Sequence, residues 1–443
     1  MQHILGRLDV VHFLFRCRNP CSCILDRPSI SIAIHLSLES DFNNLLMPNG
    51  QENTRPLRVI LFSQKGAGLH YGGPGMTAYR LYNSAGPGQF AVTLVHGWSE
   101  QERYEVFSDQ VFLSQLSQSY RSQFKLFRRS QKWIRANAHR FDVFHGLTAF
   151  QVPVCVAQEA ERFGLPAVVK VAAHNIDLAD KPGWRSIVAL PRRRREIIKR
   201  LSGVIAISEA IAKELLSYGI PESKIARIPN GVDCQLFHPV DDISAQQRLR
   251  ERFGWSDRPT IIFSGGLSDR KGAHLLVEAL ALLKQGGSPC QVVFVGRFDE
   301  ASYEMKFRSL IEQRGVADDV VLFGLTKETA ELYRAADIFC LPSKSEGMPN
   351  AMLEAMASGL PTVGTRISGI TDLIEEDTRG LLVRRDSAEL ADALKYYLDF
   401  PDQGLTHGKA ARNFVERGFS ATAVLAAHKQ LFRRLMAGQP AAS

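Results

Sequence analysis

Short apolar runs alternate with longer amphipathic segments along most of this chain, and no other feature constrains its fold as strongly. The alternation starts at Arg58, and the short runs are rich in Val and Ile. A strand that is buried on both faces has a continuous apolar sequence, and a helix between two such strands lets them pair in parallel. We therefore predict an α/β fold built from parallel sheets.

The predicted strands form two series. The first series is Arg58–Ser63, Ala91–Val95, Val143–His145, Ala167–Ala172 and Gly203–Ile207. The second series is Thr260–Ser264, Val292–Gly296, Val320–Phe323, Ile338–Leu341 and Pro361–Thr365. Within the first series we predict a long helix, Phe107–Ala138, that a break could divide. Two series predict two doubly wound sheets, with ligands at the carboxyl ends of the strands and in the cleft between the sheets.

The segment Ile228–Asp233 separates the two series. Its core, Pro229-Asn230-Gly231, has strong turn chemistry. We interpret it as the interdomain connector, which divides the chain into one domain at residues 57–228 and a second at 229–417.

The first 46 residues do not share the strand and helix pattern of the rest of the chain. They contain Cys17, Cys21 and Cys23, irregular hydrophobicity and no clear alternation. We expect a disordered extension or a start codon assigned too far upstream. A metal site is the weaker alternative, because this cysteine spacing has no matching second half.

The other four cysteines indicate a reducing compartment. They are scattered singly through apolar surroundings: Cys155, Cys234, Cys290 and Cys340. This pattern suits small core residues rather than a disulfide framework, so we expect a cytoplasmic protein. No run of about 18 uncharged apolar residues is present, so we expect no membrane span.

The net charge of +8 is unevenly distributed. Up to Phe237 the chain has 29 basic and 19 acidic side chains, whereas the rest has 25 and 27. The excess is greatest in 128–140 and in the run Arg192–Arg195. Such clusters can bind anionic lipid headgroups, and the alternative is a solvated helix face. No nucleic-acid-binding module accompanies the charge, so we do not expect nucleic acid as a partner.

The most specific segment runs from Ser345 to Pro361 and contains two glutamates. Glu346 lies in a loop after the strand Ile338–Leu341, and Glu354 lies about one turn into the next helix. Both carboxylates can face one ligand there, and carboxylates chelate vicinal hydroxyls such as those of sugars and ribose. Backbone N–H groups at the helix start also suit oxygen-rich or anionic groups.

With this segment, the chain resembles the retaining glycosyltransferases of family 4, which have the GT-B fold. Four further segments share the resemblance: Val204–Glu209 at a strand end, Ile228–Asp233 at the linker, Gly265–Gly272 at the diphosphate loop and Phe419–Met436 at a terminal helix. The resemblance implies two Rossmann-like domains that face a cleft. The first domain would bind the acceptor, the second would bind the nucleotide sugar, and residues 418–436 would form a helix that crosses back onto the first domain.

The resemblance also implies roles for individual residues of the second domain. Glu354 would bind the ribose hydroxyls of the nucleotide, and Glu346, as a catalytic residue, would contact hydroxyls of the transferred sugar. Lys271, with Arg270, would neutralise the donor diphosphate as charge develops on the leaving phosphate. Four neighbours of the glutamates would assist in donor binding: Gly347, Met348, Pro349 and Asn350.

Glycines and histidines supply the candidates in the first domain. Gly72 and Gly73 match the family's glycine pair in a loop that would approach the acceptor or a phosphate, and a flexible loop without a binding role is the alternative. His145 and His174 each end a predicted strand, where acceptor-handling catalytic residues belong, and a structural role is the alternative for each. The nucleotide sugar, a UDP or GDP sugar, is a substrate. Because no Asp-x-Asp element is present, we expect no metal and no other cofactor.

Two positions depart from the family pattern. Gly266 stands where the family has a phosphate-binding arginine, and Leu147 stands where many members have the second histidine of a His-x-His pair. Arg270 is a possible replacement for the missing arginine.

Together these features predict a retaining hexosyltransferase that uses a nucleotide-diphosphate sugar. Its acceptor would be a glycan or a lipid-linked molecule of polysaccharide or glycolipid biosynthesis, in the cytoplasm or at the inner membrane face. The alternatives are a nucleotide-sugar epimerase, a glycogen-phosphorylase-like enzyme and a non-catalytic sugar-nucleotide-binding protein. A phosphorylase would need a pyridoxal-phosphate lysine and a longer chain, whereas Gly266 and Leu147 favour the non-catalytic alternative.

Overall fold

The structure is a computed structural model, and it describes residues 55–67, 73–97, 103–115, 117, 119–174, 177–178 and 190–442. The predicted extension of residues 1–46 lies outside the described residues, and so does Gly72.

Among the described residues, parallel strands form two sheets. The strands of the first sheet are β1 (Leu57–Ser63), β2 (Phe90–His96), β3 (Asp109–Phe112), β4 (Val143–Gly146), β5 (Ala167–Val171), β6 (Gly203–Ala206) and β7 (Ile225–Arg227). Those of the second are β8 (Thr260–Ser264), β9 (Gln291–Val295), β10 (Val320–Gly324), β11 (Ile338–Leu341), β12 (Thr362–Thr365) and β13 (Leu381–Val383).

Helices connect the strands of both sheets. The first sheet has α1 (Gly73–Asn83), α2 (Tyr120–Asn137), α3 (Gln151–Arg162), α4 (Leu190–Ile198) and α5 (Glu209–Ser217). The second has α6 (Ile243–Phe253), α7 (Ala273–Gln285), α8 (Ala301–Arg314), α9 (Thr329–Ala335), α10 (Asn350–Ala357), α11 (Ser387–Asp399) and α12 (Pro401–Gly418). We refer to the first sheet with α1–α5 as the N-domain and to the second sheet with α6–α12 as the C-domain. The last helix, α13 (Ala421–Met436), follows the C-domain in the chain.

Both sheets have the same doubly wound order. The first is β3-β2-β1-β4-β5-β6-β7 and the second is β10-β9-β8-β11-β12-β13. The strand order therefore reverses between β1 and β4 and again between β8 and β11. Crevices for ligands form at such reversals, outside the carboxyl ends of the strands. The predicted pair of doubly wound sheets is confirmed.

The predicted long helix over Phe107–Ala138 is wrong. Residues Asp109–Phe112 form the edge strand β3 beside β2, and α2 begins only at Tyr120, where the Ser119 hydroxyl accepts a hydrogen bond from the Ser122 N–H. The strand was missed because it is short and partly exposed and carries polar side chains, whereas a buried parallel strand has a continuous apolar run.

The terminal helix α13 packs on the N-domain, as the fold prediction required. Five of its buried side chains share one apolar core with β1 and β2: Val424, Leu425, Leu431, Phe432 and Leu435. The chain thus crosses between the domains twice. The Val232 N–H donates to the Phe419 carbonyl, and the Ala421 N–H donates to the Val232 carbonyl, both at 2.8 Å. The two crossing segments are therefore hydrogen-bonded side by side.

Candidate functional site

Two loops meet at the strand-order reversal of the second sheet. The loop after β8 carries Arg270 and Lys271, and the loop after β11 carries Glu346. The two strands are neighbours in the sheet, and the Lys344 N–H donates to the Arg270 carbonyl at 2.7 Å. The topology therefore brings together residues that were predicted from separate sequence motifs.

Glu346 is held between two basic side chains. Lys271 Nζ lies 2.7 Å from Glu346 Oε1, and Arg270 Nη1 lies 3.5 Å from the same oxygen. The Ser343 hydroxyl also donates to Oε1, at 2.6 Å. The Glu346 and Lys271 side chains are only 9% and 14% exposed, whereas Arg270 is 47% exposed. Two cations around one carboxylate leave an excess of positive charge for an anionic ligand.

Glu354 lies in the second turn of α10 and is bound from two sides. Its Oε1 forms an ion pair with Arg80 of α1, and its Oε2 accepts a hydrogen bond from the Tyr333 hydroxyl at 3.2 Å. Burial, together with the Glu354 carboxylate, raises the pKa of Tyr333 well above its usual value, so the hydroxyl remains a donor. Burial alone would lower the pKa of Arg80, but the Glu354 carboxylate raises it overall.

A chain of hydrogen bonds links the segment Ser345–Pro361, which we call the glutamate segment, to the N-domain. The Asn350 amide donates to Thr77 Oγ1 of α1 at 2.8 Å and accepts from the Asn230 amide at 2.9 Å. Asn230 also donates to the Met348 carbonyl at 3.2 Å, and its Oδ1 accepts from Lys170 Nζ at 2.8 Å. The connector residue Asn230 therefore joins strand β5 to the start of α10.

Gly347 brings the glutamate segment against the backbone of the N-domain. A Cβ atom at this position would lie 2.1 Å from the Ala172 carbonyl oxygen, so only glycine permits the contact. The next residues behave differently. Met348 is buried, and Pro349 is the N-cap of α10 without a side-chain hydrogen bond.

His174 lies where the two domains meet. It follows β5, and its Nδ1 lies 3.2 Å from the Ser368 hydroxyl of the C-domain. Its Nε2 lies 4.0 Å from Glu214 Oε2, and the side chain is 28% exposed. The structure therefore brings His174 to the interface between the domains, where a substrate in the cleft could reach it.

His145 has the environment of a core residue. It is 1% exposed, its Nδ1 lies 3.1 Å from the Tyr82 hydroxyl, and its ring packs on His428 and Phe432 of α13. Burial, with positive charge from His428 and Lys170 as lesser causes, lowers the pKa of His145 well below its usual value. The structure places His145 beneath the terminal helix, and this geometry favours the structural alternative over the catalytic role.

Gly266 faces a carboxylate. A Cβ atom at Gly266 would lie 2.7 Å from Asp299 Oδ1. One strand across, the Leu267 N–H donates to the carbonyl of Arg297, whose side chain is exposed. The Arg297 guanidinium therefore follows the adjacent strand β9, although Gly266 itself, at the position of the family's arginine, has no side chain.

Gly73 is the first residue of α1 and is exposed, and no other atom lies within 4 Å of a Cβ placed there. It is therefore open to solvent, and the structure does not relate it to the glutamate segment by direct contact.

In the ranges that the structure describes, no three His, Cys, Asp or Glu side chains cluster as a metal site. None of the described helices is both long and apolar enough to span a bilayer.

Sequence reasoning missed Arg80, Tyr333, Asn230 and Arg297. Arg80 meets Glu354 across 274 residues of chain. No local sequence pattern indicates such a pair. For Arg297, the available signal was its position directly after the strand β9.

Solved glycosyltransferase structures have the same fold. The structure of Anabaena HepE in complex with UDP and glucose matches with a TM-score of 0.70 at 22% identity, over 85% of this chain and 99% of that chain. A glycosyltransferase from Rickettsia africae matches with a TM-score of 0.72 at 19% identity, over 86% and 99% of the two chains. At these identities the similarity shows the fold alone, which is the two-domain GT-B class.

Two family models match the chain in sequence. Residues 71–236 match Glycosyltransferase Family 4, and residues 258–399 match Glycosyl transferases group 1. Together the two matches cover more than half of the chain. The chain therefore belongs to the family 4, or group 1, glycosyltransferases.

Curated relatives are similar over part of their length. A GDP-mannose-dependent phosphatidylinositol monomannoside mannosyltransferase of Mycobacterium tuberculosis is 29% identical over 53% of this chain and 62% of that protein. The putative colanic acid biosynthesis glycosyltransferase WcaL of Escherichia coli is 32% identical over 51% and 55%. A D-inositol 3-phosphate glycosyltransferase of an Arthrobacter species is 34% identical over 50% and 54%. The matches thus span less than two thirds of each relative.

Proposed function

We propose that this chain transfers a hexose-type sugar from a nucleotide-diphosphate sugar to a glycan or lipid-linked acceptor, with retention of configuration. The observation that carries the proposal is the contact of 2.7 Å between Lys271 and Glu346 at the carboxyl ends of β8 and β11. It supplies a cation for the diphosphate beside a carboxylate for sugar hydroxyls, and Glu354 follows on the next helix. The solved relative with UDP and glucose bound and the names of the curated relatives support the same reaction class.

Charge stabilisation is the main task of the proposed site. When the bond from the sugar to the diphosphate breaks, negative charge develops on the leaving oxygen. We propose that Lys271 and Arg270 stabilise this charge in place of a metal ion. The exposed Arg297 could contact the same diphosphate. A fixed cation in a partly dry cleft stabilises a transition state more strongly than water does. Once the diphosphate engages Lys271, Glu346 loses one of its partners, and its carboxylate has more capacity to accept hydrogen bonds from sugar hydroxyls.

Retention is proposed to follow from substitution on one face of the sugar. The acceptor hydroxyl forms the new bond to the anomeric carbon as the bond to the diphosphate breaks. Its proton passes to the departing diphosphate oxygen on the same face, so the nucleoside diphosphate leaves with that proton. The protein would contribute mainly positioning and electrostatics, and His174 lies at the domain interface, from which it could orient the acceptor.

Turnover of a donor panel tests this proposal. The full chain is incubated with UDP- and GDP-hexoses and a mixture of glycan and lipid acceptors, and released nucleoside diphosphate is measured. We expect turnover with one donor and a loss of roughly 100- to 1000-fold in Lys271→Ala. Lys395→Ala, which removes an exposed lysine paired with Asp399 on α11, is the matched control. Equal turnover in Lys271→Ala and the control would contradict the proposed role of Lys271.

A non-catalytic sugar-nucleotide-binding protein is the second candidate. The observation that favours it is Asp299, whose carboxylate lies against Gly266 where the family has an arginine. A negative charge there would repel a diphosphate. Tight binding of a nucleotide sugar without release of nucleoside diphosphate from any donor would support this candidate over an enzyme.

The basic face of α2 supports a lipid-linked acceptor at an anionic membrane surface. This helix has six basic and no acidic residues, and all six basic side chains are exposed: Arg121, Lys125, Arg128, Arg129, Lys132 and Arg135. Phe124 on the same helix is 52% exposed. Each basic residue near an anionic surface contributes about 1 kcal/mol of attraction.

Co-sedimentation with vesicles tests the membrane proposal. We expect the full chain to pellet with phosphatidylserine-containing vesicles at low salt but not with phosphatidylcholine vesicles. Lys125→Glu with Arg128→Glu should abolish pelleting, whereas the charge-matched control Lys306→Glu with Lys327→Glu, on exposed C-domain positions, should not. Failure of the wild type to pellet with the anionic vesicles would overturn the proposal.

A further inference from the structure

Helices α1 and α10 contact each other across the domain boundary through two matched polar pairs. Thr77 and Arg80 lie three residues apart on α1, and Asn350 and Glu354 lie four residues apart on α10. Residues at these spacings share one face of a helix. Thr77 accepts a hydrogen bond from Asn350 at 2.8 Å, and Arg80 pairs with Glu354. Helix α1 of the N-domain is therefore bound through a hydrogen bond and an ion pair to α10, the helix that begins within the glutamate segment.

The Arg80 side chain packs on the C-domain side of this contact. Its side chain is 20% exposed, and its guanidinium carbon lies 5.4 Å from the centre of the Phe237 ring. Phe237 is fully buried and packs edge-on against Tyr333, the second partner of Glu354. Arg80 thus reaches from α1 into a packed aromatic corner, where the Glu354 carboxylate balances its charge.

The carboxylate of Glu354 keeps part of its hydrogen-bonding capacity. A carboxylate has about four acceptor positions. Arg80 occupies one at Oε1 and Tyr333 occupies one at Oε2. About two positions remain, one on each oxygen, which is the arrangement that a pair of vicinal hydroxyls requires.

We propose that Arg80 is a positioning residue of the nucleotide site: it orients Glu354 toward the two ribose hydroxyls, so that the site in the C-domain is complete only when α1 of the N-domain is docked on α10. The inference rests on the proposed function, because it takes a ribose as the ligand of Glu354. It makes ribose recognition depend on a residue of the opposite domain, and it links nucleotide binding to contact between the domains.

Discrimination between ribose and deoxyribose tests this inference. The affinities of UDP, GDP and their 2′-deoxy counterparts are measured by calorimetry for the full-length wild type, Arg80→Met, Arg80→Lys, Glu354→Gln and the double variant Arg80→Met with Glu354→Gln. Because a hydrogen bond to a charged group is lost, we expect the wild type to prefer the ribonucleotide by about tenfold or more. Arg80→Met should lose most of this preference, and Arg80→Lys should keep part of it. The double variant should equal Glu354→Gln, since Arg80 acts through Glu354.

Arg250→Met is the matched control, and it shows whether a loss of preference is specific. Arg250 has a side chain that is 11% exposed, and it forms an ion pair with Asp337, which precedes β11 and lies away from the site. Its variant should keep the wild-type preference even where its stability falls. If Arg80→Met folds poorly, the comparison of Arg80→Lys with the wild type makes the same test.

Each remaining outcome contradicts a defined part of the account. If the wild type binds neither UDP nor GDP, the proposed function fails and the inference fails with it. If the wild type binds UDP or GDP but does not prefer it to the 2′-deoxy counterpart, the inference is overturned while donor binding stands. If the wild type prefers the ribonucleotide and Arg80→Met and Arg80→Lys keep that preference in full, the inference alone is overturned. If the double variant loses clearly more than Glu354→Gln, Arg80 does not act through Glu354.

Discussion

Lys170 is a buried cation among neutral and basic neighbours. Its side chain is 5% exposed, and it donates its hydrogen bond to the amide oxygen of Asn230. Burial lowers the pKa of Lys170 from 10.5 to about 8 and lowers the pKa of nearby His428 from 6.5 to about 4. The folded protein therefore keeps a desolvated charge at neutral pH, which costs stability.

Replacement of Lys170 by methionine should change how stability depends on pH. Between about pH 8 and 10.5 the unfolded lysine is protonated and the folded one is not, so wild-type stability rises with pH in this window. A shift of this size corresponds to on the order of 3 kcal/mol. The free energy of unfolding of Lys170→Met, relative to the wild type, should thus fall by about that amount from pH 8 to 10.5.

Urea denaturation at several pH values measures this difference. Lys224→Met, which removes a lysine that donates to the Lys199 and Leu201 carbonyls, serves as the control. If the difference in free energy of unfolding between the Lys170 variant and the wild type is constant across this pH window, burial does not lower the pKa of Lys170.

At the residue scale, the sequence contains enough information to place some side chains together but not others. Lys271 and Glu346 could be predicted to meet because each follows a strand, and the ends of parallel strands share one edge. The role of His145 could not be predicted in this way. A strand end does not reveal which face its side chain occupies, and here α13 covers that face from the far end of the chain. The pair of Arg80 and Glu354 also depends on tertiary packing alone.

At the scale of elements, the inner strands and the edge strand β10 were predictable, whereas the edge strands β3, β7 and β13 were not. The central strands β1, β4 and β8 are apolar runs that match the observed bounds within a few residues. The strands β3 and β7 lie at the outer edges of the first sheet, and β10 and β13 lie at those of the second. The strands β3 and β7 include polar or charged side chains, and β7 and β13 have only three residues, so none of the three supplies the longer apolar run on which the prediction depends.

The loop that carries Glu346 depends on Gly347. Because a Cβ atom there would lie 2.1 Å from the Ala172 carbonyl, Gly347→Ala must push the glutamate segment away from the N-domain. We expect an increased radius of gyration by small-angle scattering and a loss of donor turnover of at least tenfold, since small displacements at a site are costly.

Gly418→Ala is the matched control for this substitution. Gly418 ends α12, and no atom lies within 4 Å of a Cβ placed there. Its variant should resemble the wild type in both measurements. Wild-type turnover in Gly347→Ala would mean that the contact with Ala172 has no part in the active arrangement.

At the scale of the whole molecule, the domains touch at several points around the cleft. Besides the contact of Gly347, His174 lies against Ser368, and the Glu209 N–H at the start of α5 donates to Asp372 Oδ2 at 3.2 Å. The paired crossing segments at Val232 and Ala421 join the domains along one side. These contacts bring the N-domain against the loop and helix that carry the glutamates, so residues of both domains lie beside the proposed donor site.

Thermal stabilisation by nucleotide sugars tests most directly whether this site binds a donor. The wild type and Glu354→Ala are melted with a panel of UDP and GDP sugars, and each shift is compared with the same protein without ligand. A ligand at about a hundred times its dissociation constant stabilises the folded state by about 2.7 kcal/mol. We predict that one donor stabilises the wild type and that Glu354→Ala loses most of this response. An equal response in both proteins, or no response of the wild type to any donor, would contradict the donor site described for Lys271, Glu346 and Glu354.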